Sequence, residues 1–416
     1  MKIVPDPRSP REKKHDLAEM LTYLVAAYIC GRTSLRRCVA WSKRKIKWLR
    51  KGMALKNGIA SVATISRLLS KIDEELFIYA FIEWIGEILQ TKGLHIAIDG
   101  KAIKAAASKV GGGKTPMILS AVDAATGLIL AQLPIQNKEC EITKIPELLN
   151  LLDIQGSIIT IDAIGTQTSI MRQINDSGGC FLLSVKANQP GAYEELSQLF
   201  EEAAKDYRKS ITIPGFQSPY GHLQDKLDRD ETFERNRDRD EYRKCVVCSD
   251  VSYLSKTEKE WPFIQTIGCI RTTRILEILD ENGKDITPSP EEFRRNGTRR
   301  QPKPSSGISK SDDIQTVYVV TNKKMTAKEM QKCRRDHWSV ENRLHHVLDD
   351  TFREDRSPAK GSKNNLALIR KFAYNILRIM RIQHSVKESL PEVMDLFADS
   401  LELLHKYIFE GITPIN

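Results

Sequence analysis

What this chain of 416 residues lacks narrows its class first. It has no long hydrophobic run: the longest apolar stretch, residues 21–30, falls short of the roughly 20 residues that a membrane-crossing helix needs. Its first residues, Met1-Lys2-Ile3-Val4-Pro5-Asp6, lack the apolar segment of a secretory signal. The eight cysteines are scattered, which argues against a disulfide framework and for a reducing compartment. These absences lead to the expectation of a cytoplasmic protein with no membrane partner. Cys245-Val-Val-Cys248 has a zinc-like spacing but no second pair nearby. It lies in a strand-like run, where residues three apart point to opposite faces, so one core and one surface thiol are expected instead.

Acids are missing from one stretch altogether. Residues 31–51 carry nine Lys or Arg and no Asp or Glu, with Trp41 and Trp48 interleaved. Like charges along one helix repel each other unless a polyanion neutralises them. Arg36, Arg37, Lys43, Arg44, Lys45 and Lys47 are therefore candidate DNA contacts, with a solvated basic face as the plain alternative. The net charge of +10 points the same way without deciding it, because many basic proteins bind no polyanion. With 41% apolar and 28% charged residues, the chain is an ordinary soluble protein with room for two or three domains.

Residues from about 12 to 91 have helical spacing: an amphipathic helix over 12–30 stopping at Gly31, a second over 34–51, and a third capped by Ser61. At Leu94 the period becomes that of strands. Strands are expected at 94–99, 117–123 and 128–135, the last two joined by the hairpin turn Ala124-Ala-Thr-Gly127. A helix at 141–152, a strand at 157–162, a helix at 166–176 and a strand at 180–186 follow. Beyond a helix at 192–205 come strand-like pieces near Thr232, Val246 and 264–272. The polar tract 279–311, with its prolines and basic cluster, reads as a disordered loop. A strand at 316–320 and a helix at 327–350 return to the pattern, and a helix at 366–381 carries Arg370, Lys371, Arg378 and Arg381 as a basic back.

Asp99 and Asp162 each end an apolar strand, and Glu341 stands on the helix 327–350. Buried carboxylates are costly unless compensated, and hard divalent cations compensate them through oxygen ligands. The order β-β-β-α-β-α-β is that of a ribonuclease-H-like core, whose first and fourth strands lie side by side and parallel, so that Asp99 and Asp162 meet. The expected fold is α/β: a ribonuclease-H-like mixed-sheet catalytic core with a β-rich insertion, preceded by a small helical N-terminal domain. Its segments are 1–91 (helical, DNA-binding), 92–190 (first part of the core), 191–322 (insertion) and 323–416 (catalytic helix and C-terminal helices). On the catalytic helix Val340, Leu344 and Val347 form an apolar stripe, while His337, Glu341, His345 and Asp349 recur every four residues. That ladder could hold zinc, yet it is not a His-Glu-x-x-His arrangement, and the strand acids explain more of the chain. Asp349, Asp350, Glu354 and Asp355 are rivals to Glu341 as the third acid.

The quoted residues also carry a resemblance. Asp99-Gly-Lys101, Ile161-Asp162-Ala163-Ile164-Gly165-Thr166-Gln167, Val185-Lys186-Ala187-Asn188-Gln189 and above all the run from His337-Trp338 through Glu341-Asn342 to Glu354-Asp355 resemble the H-repeat-associated, ISAs-type insertion-sequence transposases. These are bacterial DDE enzymes, often linked to Rhs elements. Asp6-Pro7-Arg8, Gly31, Trp41 and the run Ser61 to Leu68 match that family's associated N-terminal domain. The chain departs from related transposases at His337 and Leu348, where they carry Arg and Lys. It also lacks the His-Gly of an insertion motif whose Arg239, Glu241 and Arg243 remain. The resemblance implies metal-dependent DNA cleavage and strand transfer at the element ends, with terminal inverted repeats and target DNA as partners and a homodimer in the synaptic complex. It implies two Mg²⁺ (or Mn²⁺) ions, with Asp99, Asp162 and Glu341 as catalytic residues and metal ligands. Lys101, Lys104, Lys186 and Asn188, flanking the strand ends, are candidate phosphate contacts, and Arg239 and Arg243 join them as candidate DNA-binding residues. Two rivals stay open: a nuclease on the same fold that joins no ends, and an inactive relic that binds DNA without cutting it.

Overall fold

The structure, a computed structural model, describes residues 4–102, 117–135, 141–212, 226–236, 239–252, 254, 260–276, 313–354 and 363–415. Lys104, Asp355 and the tract 279–311 lie outside the described residues. The helices are α1 (Leu17–Ile29), α2 (Leu35–Arg44), α3 (Ile46–Leu49), α4 (Val62–Leu69), α5 (Glu74–Gly86), α6 (Glu141–Asn150), α7 (Thr168–Asp176) and α8 (Pro190–Thr212), then α9 (Ala327–Val340), α10 (His346–Asp350), α11 (Lys363–Gln383), α12 (Leu390–Asp399) and α13 (Leu401–His405). The strands are β1 (His95–Ala102), β2 (Met117–Asp123), β3 (Ile129–Ile135), β4 (Ile158–Ile161), β5 (Cys180–Val185), β6 (Leu227–Asn236), β7 (Arg239–Cys248), β8 (Thr266–Leu276) and β9 (Asp313–Thr321). Two compact units result, one of Met1–Thr160, Asp176–Gly179 and Asp336–Asn416, the other of Ile161–Asn175 and Cys180–Arg335.

In the first unit, local signals place the N-terminal helices. Asp16, Ser34, Ser61 and Asp73 each accept a backbone N–H three residues on, which satisfies an otherwise unpaired donor of the first turn. The helix expected over 12–30 therefore starts only after Asp16, behind a short 3₁₀ turn at Pro10–Glu12. The helix expected over 34–51 is two pieces, because Lys45 leaves helical geometry (φ −95°, ψ 12°). These helices pack on α11: Phe372 meets Phe77 and Phe81 at ring distances of 5.9 and 4.8 Å, and Arg370 lies 5.5 Å over the Tyr28 ring. The expected basic back of α11 is corrected here, since Arg370 and Lys371 are each only 2% exposed. Arg378 and Arg381, further along the helix, are half-buried.

The strands of this unit run in the order β3-β2-β1-β4. β1 pairs antiparallel with β2 through Asp99↔Ser120 and on to Ala102↔Met117. Asp99 thus lies within β1 and not at its end, because the ladder with β2 outlasts the apolar run. Beside β4, Gly93 donates to the Gln155 carbonyl and Ile158 donates to that of Leu94, at 3.1 and 2.8 Å. Numbers that rise together on both segments are the pattern of parallel neighbours. The edge strand β3 is finished by α11, whose Asn375 accepts from the Ile129 N–H (3.0 Å) and donates to the Ile129 carbonyl (2.8 Å). The hairpin before it turns at Gly127, φ +73°, where Tyr374 donates to the Gly127 carbonyl.

In the second unit the order is β5-β9-β8-β7-β6, antiparallel throughout. The β-rich insertion is therefore built directly onto β5 through β9. Cys245 and Cys248 are both fully buried, which corrects the expected surface thiol; Cys248 donates to the Asp250 carbonyl where the strand ends. The first half of α9 lies along β6. Asp228 accepts from the Ala327 N–H, Asp230 and Thr232 accept from Gln331, and Glu234 pairs with Arg335.

Replacing Asn375 by leucine would strand the Ile129 N–H and carbonyl in the core. At about 1–3 kcal/mol per buried unpaired group, N375L is expected to lower the unfolding free energy by about 3 kcal/mol in urea denaturation. A loss below about 1 kcal/mol would show that β3 does not depend on this cap.

Candidate active site

Four side chains alternate along β1 and share one face: His95, Ala97, Asp99 and Lys101. Against them the helical run from α9 to α10 presents residues four apart. Thr160 Oγ1 lies 3.0 Å from both His95 Nε2 and His337 Nδ1. His345 Nδ1 lies 3.4 Å from Asp99 Oδ2, and Lys101 Nζ lies 2.5 Å from Asp349 Oδ1. Four helical residues rise about 6 Å and two strand residues about 6.7 Å, so the rungs stay level. Glu341 lies on the same helical run, four residues from both His337 and His345.

An unbroken α-helix would drift about 40° with every four residues and turn the later rungs away from the strand. The chain avoids this with a π turn over Glu341–His345, in which the His346 N–H bonds back to the Glu341 carbonyl. The predicted single helix is therefore interrupted, and its apolar stripe shifts. Val340, Leu344 and Leu348 are buried at 3, 1 and 1% exposure, whereas the expected Val347 is half-buried. Wide turns of this kind are often found at functional sites.

Asp99 keeps a quarter of its side chain exposed, with Oδ1 accepting its own neighbour's Gly100 N–H at 2.9 Å. Burial, reinforced by Lys101 and Lys371, pushes the His345 imidazole down to about 4, so it is neutral near pH 7. A carboxylate only accepts, so a hydrogen bond between the two requires the His345 proton on Nδ1. Lys101 does not serve as a phosphate contact here. Its side chain is 10% exposed, and its ammonium is divided between Asp349 and Glu354, the latter at 3.1 Å. Burial would raise the Glu354 carboxyl, but Lys101, Lys371 and Arg370 hold it below its usual range. Lys371, itself pushed down to about 8 by burial, also donates to Gln132. Asp349 and Glu354, two of the rival third acids, are thereby bound into an ion cluster with Lys101. Glu341 is exposed.

The second unit holds the other motifs. Asp162 is exposed directly after β4 and precedes the 3₁₀ turn Ala163–Gly165. Asn188 donates to the Ala163 carbonyl (2.9 Å), Gln189 to that of Thr166 (2.7 Å), and Thr166 to that of Ser184 (2.7 Å). The Asn188 amide thus ties two loops together, and both Asn188 and Lys186 are exposed. Burial lowers the Arg334 guanidinium pKa and the charge of Asp162 opposes that shift, a neighbour that sequence reasoning missed. Arg243 is another correction, since it pairs with Glu234 (2.8 Å) and Glu241; the Arg239 side chain is not among those described.

In the first unit Arg36, Arg37, Lys43, Arg44 and Lys47 are exposed and Lys45 is half-buried. Trp41 and Trp48 are not surface aromatics: both are buried, 6.2 Å apart edge to face, and the Trp48 indole donates to the Leu401 carbonyl. Among the described residues no group of three or more His, Cys, Asp and Glu stands close enough to hold a metal ion, and no helix is long and apolar enough to cross a membrane. The imidazoles of the supposed zinc ladder face Thr160 and Asp99. Asp99, Asp162 and Glu341 offer hard oxygen donors that reach solvent, which in kind fit a hard divalent cation such as Mg²⁺.

A mixed sheet with acids on its first strand, after its fourth and on a later helix defines a ribonuclease-H-like protein. The comparisons narrow the class further. The family model described as Transposase DDE domain matches residues 90–376, and one described as DDE_Tnp_1-associated matches residues 1–85. The chain is 31% identical to the protein named "Putative transposase YncI" of Escherichia coli O157:H7, over 90% of this chain and 85% of that one. It is 28% identical to the "H repeat-associated putative transposase YhhI" of Escherichia coli (strain K12), over 90% and 88%. A piggyBac transposase synaptic complex with hairpin DNA gives a TM-score of 0.41 at 12% identity over 99% of this chain and 80% of that one, too weak a likeness to bear on function. The chain belongs to the Transposase DDE domain family and is a DNA transposase.

Lys101→Met would remove the nearest countercharge of a buried carboxylate, and breaking such a pair costs about 3–5 kcal/mol. K101M is expected to lose stability on that scale in denaturant melts, and adding E354Q to recover part of the loss. A variant that keeps full stability but loses DNA affinity would restore Lys101 as a DNA contact.

Proposed function

We propose that this transposase cleaves DNA at the ends of a bacterial insertion sequence and joins the freed ends to target DNA, using Asp99, Asp162 and Glu341 as metal ligands. The observation that carries this reading is the pair of contacts, His345 with Asp99 and Asp349 with Lys101, that hold the helical run bearing Glu341 against β1, the strand bearing Asp99. Asp162, in the second unit, comes directly after β4 in the chain and has extended backbone. A pair of Mg²⁺ (or Mn²⁺) ions, when bound, supplies a lowered pKa for a water or 3′-hydroxyl and stabilisation of the leaving oxygen. The chain's own part is placement: the Gly100 N–H and His345 orient Asp99, and the Lys101–Asp349 pair locks the helix in step with the strand. No covalent bond to DNA is needed, since positioning and charge neutralisation carry most of a phosphoryl transfer.

The exposed cations of α2 and α3 suit phosphate contact, and Lys186 suits it beside Asp162. The partners are terminal inverted repeats and target DNA, the active assembly a homodimer in the synaptic complex, and the compartment the bacterial cytoplasm. The relic reading loses ground at the two departures on the catalytic helix. His337 is buried against Thr160, and Leu348 is 1% exposed in the core, so each has a packing reason to differ.

With a plasmid carrying this gene and its flanking DNA, and Mg²⁺ or Mn²⁺, wild-type protein is expected to release a discrete element-sized fragment and joined products. D99N, D162N and E341Q should each abolish cleavage and keep DNA binding in a gel shift. Near-normal cleavage by any of them would strip that residue of its role, and cleavage without joined products would favour the nuclease. Neutralising Lys43, Arg44 and Lys47 together should reduce the slope of log affinity against log salt by about 0.9 for each phosphate that the protein no longer neutralises. An unchanged slope would remove this surface from the interface.

A further inference from the structure

We infer that His345 is a positioning residue for Asp99: its Nδ1–H holds the carboxylate in the orientation in which it meets a divalent cation. The inference rests on the reading of Asp99 as a metal ligand. Asp99 Oδ1 takes the Gly100 N–H at 2.9 Å, and Oδ2 lies 3.4 Å from His345 Nδ1. A carboxylate engaged at both oxygens has little freedom left to turn about its last torsion, which is broad in an unrestrained Asp. Groups that orient ligating carboxylates in this way tune how well the ligands hold their ion.

The surroundings of His345 argue that its ring nitrogen is there for Asp99. The side chain is 13% exposed, and Nε2 is buried with no hydrogen-bond partner among the described residues. An unpartnered buried nitrogen carries a desolvation penalty that an apolar residue of similar size would avoid. Packing alone therefore gives no reason for an imidazole, whereas the Nδ1 contact does. The backbone on either side is also fixed. One step N-terminal, the π turn begins at Glu341; one step C-terminal, Asp349 is clamped by Lys101, two residues beyond Asp99 on the same face of β1. His345 thus ties the orientation of one proposed ligand to the turn that carries another.

The test uses the full-length protein and Mn²⁺ as the probe, with free Mn²⁺ read by electron paramagnetic resonance and thermal melting run beside it. The amide nitrogen of His345→Asn falls near Nδ1, that of His345→Gln near Nε2, and His345→Leu keeps bulk without a donor. H345N is expected to hold Mn²⁺ within about threefold of wild type, while H345Q and H345L weaken it by about tenfold or more. H345L should melt no lower than wild type, as a merely structural histidine would not allow. Wild-type Mn²⁺ affinity in H345Q or H345L, or an H345N as weak as H345L, would overturn the proposal. The contrast between H345N and H345Q, two polar amides, survives any general loosening of the site. D99N separates the two levels of the argument: loss of Mn²⁺ binding upholds Asp99 as a ligand, whereas wild-type binding removes that reading and this inference with it.

Discussion

The first unit depends on a match of two periods. A helix advances about 6 Å in four residues and a strand about as far in two, so a helix laid along a strand can repeat one contact at every step. Here that contact is made by polar and charged groups: His337 with Thr160, His345 with Asp99, Asp349 with Lys101. Such groups are directional and leave buried charge behind if the register slips, which makes a slip far more costly than in an apolar seam. The π turn at Glu341–His345 follows from the same constraint, because it cancels the angular drift that would carry the later residues off the strand. In the second unit the first half of α9 uses the same arithmetic on β6, where Asp228, Asp230, Thr232 and Glu234 meet residues 327, 331 and 335.

The Lys101–Asp349–Glu354 cluster shows how much charge this register commits. Lys371 and Arg370 from α11 add to it, so that a helix read as surface-backed carries two cations into the core. Arg370 in turn covers the ring of Tyr28 on α1, and Phe372 stacks with the α5 aromatics. The N-terminal helices, the edge strand capped by Asn375 and the strand that bears Asp99 are therefore coupled through one central helix. Packing of this density fixes the scaffold while the basic residues of α2 and α3 remain at the surface.

The candidate site was partly legible in the chain. Asp99 and Asp162 announce themselves as acids closing apolar runs, and the four-residue spacing of His337, Glu341, His345 and Asp349 is visible in the letters. The partners of that ladder were not. Nothing local tells that Lys101, two residues from Asp99, is spent on Asp349 and Glu354, or that Asn188 and Arg243 are engaged within the protein. Charge is read from sequence as if it faced water. Whether it does is settled by residues hundreds of positions away, as between Lys101 and Glu354. Likewise Trp41 and Trp48 stood among cations, yet both are buried edge to face, and Trp48 meets Leu401 and Phe409 from far along the chain.

By itself the sequence determined the period of most elements, the caps at Asp16, Ser34, Ser61 and Asp73, the order of the core strands along the chain, and the family to which the chain belongs. These depend on neighbours within a few residues or on the order of segments, and both are written linearly. Only the tertiary structure decided that the helical run bearing Glu341 carries a π turn, that Arg370 and Lys371 of α11 are buried, that β9 joins β5, and that Asp99 meets His345. Each of these is set by which distant surfaces close on one another. A chain's letters fix such contacts only through the free energy of the whole fold.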